Sequence, residues 1–285
     1  MQKAIEKAAV LIEALPYIKT FHEKFIVIKL GGSVLTDESV LSSVIMDIVF
    51  MEQVSMWPIL VHGGGPFISA EMKKRGKEPV FVNGHRYTDA ETLDIVRSAL
   101  VEGLGARMLA DVHKFNGMGK CIHSGLDGSL TCQRYQPDGE DIGMVGEITE
   151  VNTGYFHQLC KEGVIPIVSP LVTDGNGVLH NVNADAVAWK IATELNAEKL
   201  VFLSNVMGVL RDINDPDSVI STLPRGDVPR LVQEKVIDGG MIPKTQACVG
   251  AVENGVHKTH IVDGNIKHAL LVEFFTSEGI GTQIV

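Results

Sequence analysis

Apolar residues along this chain recur in two rhythms, and their alternation predicts an α/β fold. Short β-branched runs at 25–30, 58–62, 119–124, 164–169, 199–204, 259–263 and 269–275 predict strands. Helical spacing at 38–55, 66–75, 89–116, 152–162, 184–195, 227–236 and 244–254 predicts helices between them. Residues 78–88 predict a hairpin, and 129–150 predict further hairpins around Gln136-Pro137-Asp138-Gly139. Asp174-Gly175-Asn176-Gly177 is a hairpin turn signal, and 211–226 reads as a loop. Strand–helix alternation of this kind builds a mainly parallel sheet with helices on both faces, and such sheets hold ligands at the carboxyl ends of their strands.

Ahead of the first strand, residues 3–20 predict a helix with Ile5, Ala9, Ile12 and Leu15 on one face. Pro16 stands where it would kink that helix. As an appendage its apolar face needs a partner, either its own domain or a second subunit.

Two predicted strands end in glycines: Lys29-Leu30-Gly31-Gly32-Ser33 and His62-Gly63-Gly64-Gly65-Pro66. A strand that passes through glycines into a helix leaves free N–H groups at the positive end of the helix dipole, which is an anion site. Glycine lets a ligand approach the backbone closely. Two such loops within the first 70 residues predict two anionic groups held near each other, as when a phosphate meets an acidic acceptor.

Composition narrows the choice of partner. The chain has 285 residues, 45% hydrophobic and 21% charged, with a formal net charge of −10. That balance argues against bulk attraction to nucleic acid or to an anionic membrane, so local positive groups must hold any anion. No stretch approaches the roughly 18 apolar residues of a membrane span. The apolar run Ala8 to Ile12 is short and flanked by Glu6, Lys7 and Glu13, unlike a signal peptide. Cys121, Cys132, Cys160 and Cys248 have no metal-like spacing and read as reduced core cysteines, so the expected compartment is the cytoplasm.

Three motifs fail on inspection. Gly239-Gly240-Met241-Ile242-Pro243-Lys244-Thr245 ends like a P-loop but lacks the glycine before its lysine. Gly63-Gly64-Gly65 begins like a dinucleotide fingerprint, but Ile68 replaces the third glycine. His257 and His260 have helical spacing in a strand context, which does not suit a metal.

The remaining candidates each carry a bland alternative. Lys29 is a phosphate ligand beside an anion loop or a solvated edge charge. Arg86, in Asn83-Gly84-His85-Arg86-Tyr87-Thr88-Asp89, is a fork for a carboxylate or a partner for Asp89. In Asn181-Val182-Asn183-Ala184-Asp185, Asn183 is a ligand or a plain helix cap. Lys244 opens a helix, where acids are usual, which suits an anionic ligand.

Together, Lys29-Leu30-Gly31-Gly32, His62-Gly63-Gly64-Gly65-Pro66, the Asn83 to Asp89 segment, the Asn181 to Asp185 segment and Gly239-Gly240-Met241-Ile242-Pro243-Lys244 resemble the amino acid kinase family. They stand in family order, and the likeness covers residues 25 to 285. The resemblance implies a three-layer αβα sandwich around an open, mainly parallel sheet. It implies a regulatory and oligomerisation helix at 1–22 and a kinase domain at 23–285, whose N-lobe (about 23–180) holds an acyl amino acid and whose C-lobe (about 181–285) holds ATP. The implied reaction transfers the ATP γ-phosphoryl group to the side-chain carboxylate of N-acetyl-L-glutamate, the second step of arginine biosynthesis, with Mg²⁺ carried on the nucleotide and no metal ligand from the protein.

By position, Lys29 and Lys244 would stabilise the moving phosphoryl group and Asp185 would orient them. Gly64, Gly65, Arg86, Asn181 and Asn183 would hold the acetylated substrate, and Gly31 and Gly32 would join the two lysines on the nucleotide phosphates. The first helix, with Ala14-Leu15-Pro16-Tyr17-Ile18, resembles that of members inhibited by L-arginine. Tyr17, His260, Glu273 and Gly279 match positions linked to arginine, and the implied assembly is a homodimer or homohexamer. The chain departs from the family pattern at Asn205, where an aspartate is usual, and at Phe67, His85, Tyr87 and Thr20. Competing readings are a kinase for a longer or carrier-linked acid, and an arginine or nucleotide sensor without catalysis.

Overall fold

The computed structural model describes residues 1–124, 127–276 and 279–285. Helix α1 (Gln2–Phe21) precedes strand β1 (Phe25–Leu30), followed by α2 (Glu38–Gln53), β2 (Trp57–His62) and α3 (Gly65–Lys74). The hairpin predicted at 78–88 is the pair β3 (Phe81–Val82) and β4 (His85–Arg86). The long helix predicted at 89–116 is a rod in which α4 (Ala90–Arg97) passes through a π-helical stretch, Ser98–Gly105, into α5 (Ala106–Lys114). Next come β5 (Met118–Ser124), β6 (Leu130–Arg134), β7 (Val145–Val151), α6 (Thr153–Lys161), β8 (Val164–Thr173), β9 (Leu179–Val182), α7 (Ala184–Glu194) and β10 (Lys199–Ser204). The chain closes with β11 (Thr222–Leu223), α8 (Val228–Gln233), α9 (Met241–Glu253), β12 (Lys258–Asp263), α10 (Ala269–Phe275) and β13 (Thr282–Ile284).

Among the described residues the large sheet has the order β11-β13-β12-β10-β1-β2-β8-β9-β7-β6, with β5 also paired to β8. Its central pairs, β12–β10, β10–β1, β1–β2 and β2–β8, are all parallel. Alternation along these strands feeds two cores. Ile26, Ile28 and Leu30 of β1, with Leu60 of β2, face one core, which is closed by α2, α5 and α10. Val27, Ile59, Val61 and Phe202 face the other, against α7 and α9. The result is an αβα sandwich. Strands buried on both faces explain the continuous apolar runs in the sequence.

Two expectations need correction. The segment 269–275 is helix α10, not a strand. An apolar run this short fits either period. Burial decides it: Ala269, Leu270 and Phe274 go to the core. Asp47 of α2, fully buried, sits 2.6 Å from Nδ1 of His268 at the helix start, where His268 takes a left-handed φ of 56°. The last strand lies later, at β13, antiparallel to β12. The loop at 211–226 also contributes the short strand β11, parallel to β13. No helix among the described residues is long and apolar enough to cross a membrane.

Strand β1 is where the sheet changes direction. One parallel series leaves it through β2 and β8, the other through β10 and β12. The crevice beyond the carboxyl ends of such strands is the natural ligand site of an open α/β sheet.

Candidate active site

Both glycine loops open on this crevice. Beyond β2, Gly63, Gly64 and Gly65 line a cavity of about 210 Å³ shared with Lys29, Arg86, Asn181, Asn183 and Asp185. Gly64 stands at the N-cap of α3 and makes no side-chain cap, so the N–H groups of the first turn are left to other acceptors. A Cβ on Gly64 would lie 2.2 Å from Cδ2 of Leu100 and 3.2 Å from Cδ1 of Leu104, so the π-helical stretch packs directly on the loop. Gly65 has no atom within 4 Å of its Cβ position and faces open space.

Lys29 follows the alternation of β1 onto the α7 side, where Asp185 stands in the first helical turn. Lys29 Nζ lies 2.7 Å from Asp185 Oδ1, and the lysine side chain is 14% exposed. The same ammonium folds over the first loop, 2.7 Å from the Cβ position of Gly31. Lys244, in the first turn of α9, is half-buried. Burial lowers its pKa, the nearby Lys29 charge lowers it further, and Asp185 opposes both. Two ammonium groups and one carboxylate therefore share a single electrostatic neighbourhood.

Arg86 is the buried cation of the cavity, 7% exposed. Its Nη2 donates to Ser69 Oγ at 2.9 Å and to the Gly65 carbonyl at 3.2 Å, and Phe81 covers the guanidinium at 4.7 Å from the ring centroid. Burial lowers its pKa, but a guanidinium stays charged. No carboxylate pairs with it among the described residues. The bland alternative, a pairing with Asp89, does not form: Asp89 takes Lys77 at 2.7 Å and caps Thr92. A buried guanidinium with no carboxylate partner, beside a helix start, has the chemistry to pair with one.

Asn181 Nδ2 donates to Thr88 Oγ1 at 3.2 Å, and Thr88 in turn donates to the Arg86 carbonyl at 2.8 Å. Asn183 caps α7, accepting from the N–H groups of Asp185 and Ala186. Its bland reading is therefore realised, alongside its place in the cavity wall.

Gly31, Gly32 and Lys244 lie outside that cavity, on its β10 side. Gly32 adopts φ +60°, and its Cβ position is 3.6 Å from Asn205 Oδ1. Asn205 opens a second, mostly apolar cavity of about 240 Å³ with Met207, Val209, Ile237 and Met241. Sequence reading singled out Asn205 but not the apolar wall around it, because single apolar side chains from two loops and a helix start carry no local motif. A neutral amide at position 205 places no fixed negative charge beside the phosphate loop.

At the opposite end of β10 and β12, Tyr17, His260, Glu273 and Gly279 line one cavity of about 280 Å³ together with Phe21 and Lys199. His260 Nδ1 lies 2.6 Å from Glu273 Oε1, and the Ile280 N–H donates to Glu273 Oε2 at 3.0 Å. Burial raises the Glu273 pKa, but His260, the Ile280 N–H and Lys199 outweigh it and hold the carboxyl below its ordinary value. Lys199 is packed between the rings of Phe21 and Phe274, and burial pulls its pKa down to about 8. A lysine opening an otherwise apolar strand was the signal available for it.

The model of the amino acid kinase family matches residues 24–263 of this chain. The chain belongs to the amino acid kinase family. An acetylglutamate kinase of Moorella thermoacetica is 44% identical to it over 292 residues, covering 99% of this chain and 98% of its own. One from Methanobrevibacter smithii is 46% identical, covering 96% and 98%. Among solved structures, the N-acetylglutamate synthase of Neisseria gonorrhoeae complexed with coenzyme A and N-acetyl-glutamate superposes with a TM-score of 0.87 at 26% identity. That match covers 98% of this chain and 63% of the synthase, so the chain spans under two thirds of that relative's length. Within the amino acid kinase family, then, its likeness to the acetylglutamate kinases runs end to end.

Two outcomes follow from the packing. Gly64→Ala drives a methyl into Leu100 and lowers stability by about 1–3 kcal/mol. Gly65→Ala, with free space at its Cβ, changes stability by less than about 0.5 kcal/mol; urea melts of both variants give the comparison. Lys199 sets a pH dependence. Its pKa is about 8 when folded against an ordinary 10.5, so the folded state sheds this proton first. Below pH 8 the burial cost is complete; as pH rises toward 10.5 the unfolded state binds more protons, and stability grows by an amount on the order of 3 kcal/mol. Urea melts across that window, compared with Lys199→Met, must show the rise in the parent and its loss in the variant.

Proposed function

We infer that this chain transfers the γ-phosphoryl group of ATP to the side-chain carboxylate of N-acetyl-L-glutamate, forming N-acetyl-L-glutamyl 5-phosphate for arginine synthesis. The observation that carries the reading is the buried Arg86, free of any carboxylate partner among the described residues, in the same cavity as the Lys29–Asp185 pair. The acetylglutamate kinases that align along the whole chain support it.

The chemistry needs no general base. The acceptor carboxylate has an ordinary pKa of about 4.3 and is ionised at neutral pH. The task is to bring two anions together and to neutralise charge on the phosphoryl oxygens. Arg86 would hold the substrate's α-carboxylate, with Asn181 and Asn183 at the cavity wall. Lys29, steadied by Asp185, would approach the moving phosphoryl group from the β1 side and Lys244 from the α9 side. N–H groups of Gly64 and Gly65 would face the charge that develops. The apolar cavity by Met207 and Met241 would take the nucleotide base, with Gly31 and Gly32 at its phosphates. Mg²⁺ would enter on the nucleotide oxygens. The N-lobe at about 23–180 would thus serve the acid and the C-lobe at about 181–285 the nucleotide.

L-Arginine would inhibit through the cavity lined by Glu273 and Lys199. Its guanidinium suits Glu273, and Lys199 supplies a cation for its carboxylate. Helix α1 borders that cavity through Tyr17 and Phe21, while Ile5, Ile12 and Leu15 are 56%, 69% and 57% exposed. Those exposed side chains support pairing of α1 with a neighbouring copy, as a homodimer or homohexamer. The four free cysteines suit a reducing, cytoplasmic setting.

ATP-dependent hydroxamate formation from N-acetylglutamate and hydroxylamine tests the reaction. Lys29→Ala is expected to lose on the order of 100-fold or more in kcat; a parent chain no better than that variant, or one preferring N-acetylaminoadipate, would reject the reading. Adding arginine to the same assay tests regulation. Inhibition of the parent and its loss in Glu273→Gln are expected, with uninhibited activity retained; insensitivity of the parent counts against the Glu273 cavity as an arginine site.

A further inference from the structure

We propose that His62 is a positioning residue: it holds the Gly63 carbonyl, and through their shared peptide it aims the Gly64 N–H into the active-site cleft. The proposal rests on the phosphoryl-transfer reading above.

His62 ends β2 and is 1% exposed. It does not line the cavity, whereas Gly63, Gly64 and Gly65 do. Its Nδ1 lies 3.1 Å from the Gly63 carbonyl oxygen. A carbonyl can only accept, so Nδ1 must carry the proton. Burial lowers the ring's pKa to about 4, so the neutral Nδ1–H tautomer holds at neutral pH.

The consequence comes from peptide planarity. In a trans peptide the C=O of one residue and the N–H of the next point in opposite directions. With the Gly63 oxygen turned toward the buried ring, the Gly64 N–H turns away from it, toward the cleft. Neighbouring contacts fix the peptides on either side of it. The Gly63 N–H donates to the Leu30 carbonyl at 3.0 Å, tying the loop to β1. Leu100 and Leu104 press on Gly64, and the Ile68 N–H fixes the Gly64 carbonyl at 2.9 Å. Without side chains at positions 63 to 65 the loop has rotational freedom, and glycine makes it cheap to turn. The ring removes that freedom at the peptide that leads into α3.

A donor aimed at charge that develops during transfer acts on kcat more than on substrate binding. The experiment compares His62→Asn, whose amide nitrogen replaces Nδ1, with His62→Gln, whose amide reaches the Nε2 position instead. Hydroxamate kinetics, and binding of MgADP with aluminium fluoride and N-acetylglutamate, are the readouts. His62→Gln is expected to lose about 10- to 100-fold in kcat with both KM values within about threefold, and to weaken the fluoride complex by a similar factor; His62→Asn recovers most of it. Equal losses in the two variants, or an unchanged kcat in His62→Gln, would overturn the proposal. Nitrogen NMR of the unsubstituted protein gives a check that needs no variant to fold: a proton on Nε2 and none on Nδ1 also overturns it. That tautomer measurement stands whatever acid the parent phosphorylates, so a failure of the reaction assay and a failure of this proposal are separate results.

Discussion

Repulsion between two anions is the constraint that organises this molecule. A nucleotide tail and an ionised carboxylate do not approach each other in water, and the chain as a whole, at −10, does nothing to help them. Positive charge must be local. The sheet provides it where β1 hands over to β2 on one side and β10 on the other. Lys29 is placed by strand alternation and kept in place by Asp185 at 2.7 Å. Asp185 does this from the first turn of α7, where a carboxylate is favoured by the helix dipole anyway. One acidic residue thus serves the helix and steadies the lysine, without cancelling the second ammonium at Lys244.

Backbone geometry supplies the rest of the positive field. Side chains beyond one or two lysines and an arginine would crowd the transfer point, whereas N–H groups at a helix start take almost no space. That is why the loop after β2 is glycine at 63, 64 and 65. Leu100 lies against Gly64 where any side chain would stand, while Gly65 is open to the ligand. The π-helical stretch is tied to the same need, since the wider turn at Ser98–Gly105 brings Leu100 and Leu104 onto the loop. Wide turns of this kind are commonly retained beside functional sites.

Much of this was legible in the sequence, and the reasons are physical. Strands β1, β2, β8 and β10 are buried on both faces, so their apolar runs stood out; the glycine loops follow two of them directly. Lys29, Asp185 and Arg86 were readable because each sits at a strand or helix end, where a charged residue has a local meaning. What failed was context. The run at 269–275 has no periodicity that separates strand from helix, and the deciding contact, Asp47 with His268, comes from more than 200 residues away in sequence. The cavity by Asn205 draws on separate loops, so no spacing announces it. Asn183 carried two readings, ligand or helix cap, and the structure shows the cap that its position demands.

The two cavities are joined by the strand that separates them. Lys199 opens β10 in the cavity with Glu273, and Ser204 closes it, one residue before Asn205 in the cleft by the phosphate loop. Five steps of about 3.3 Å each put these ends roughly 17 Å apart. β12 runs beside it in parallel register, pairing Val201 with His260. A buried strand bonded on both sides is held by its neighbours along its whole length. Coupling between the two cavities needs a rigid element shared by both sites. Here the rigid element is already the central one of the sheet, bonded to β1, and β1 carries Lys29. The path between the two cavities is therefore short: one strand along, then one strand across.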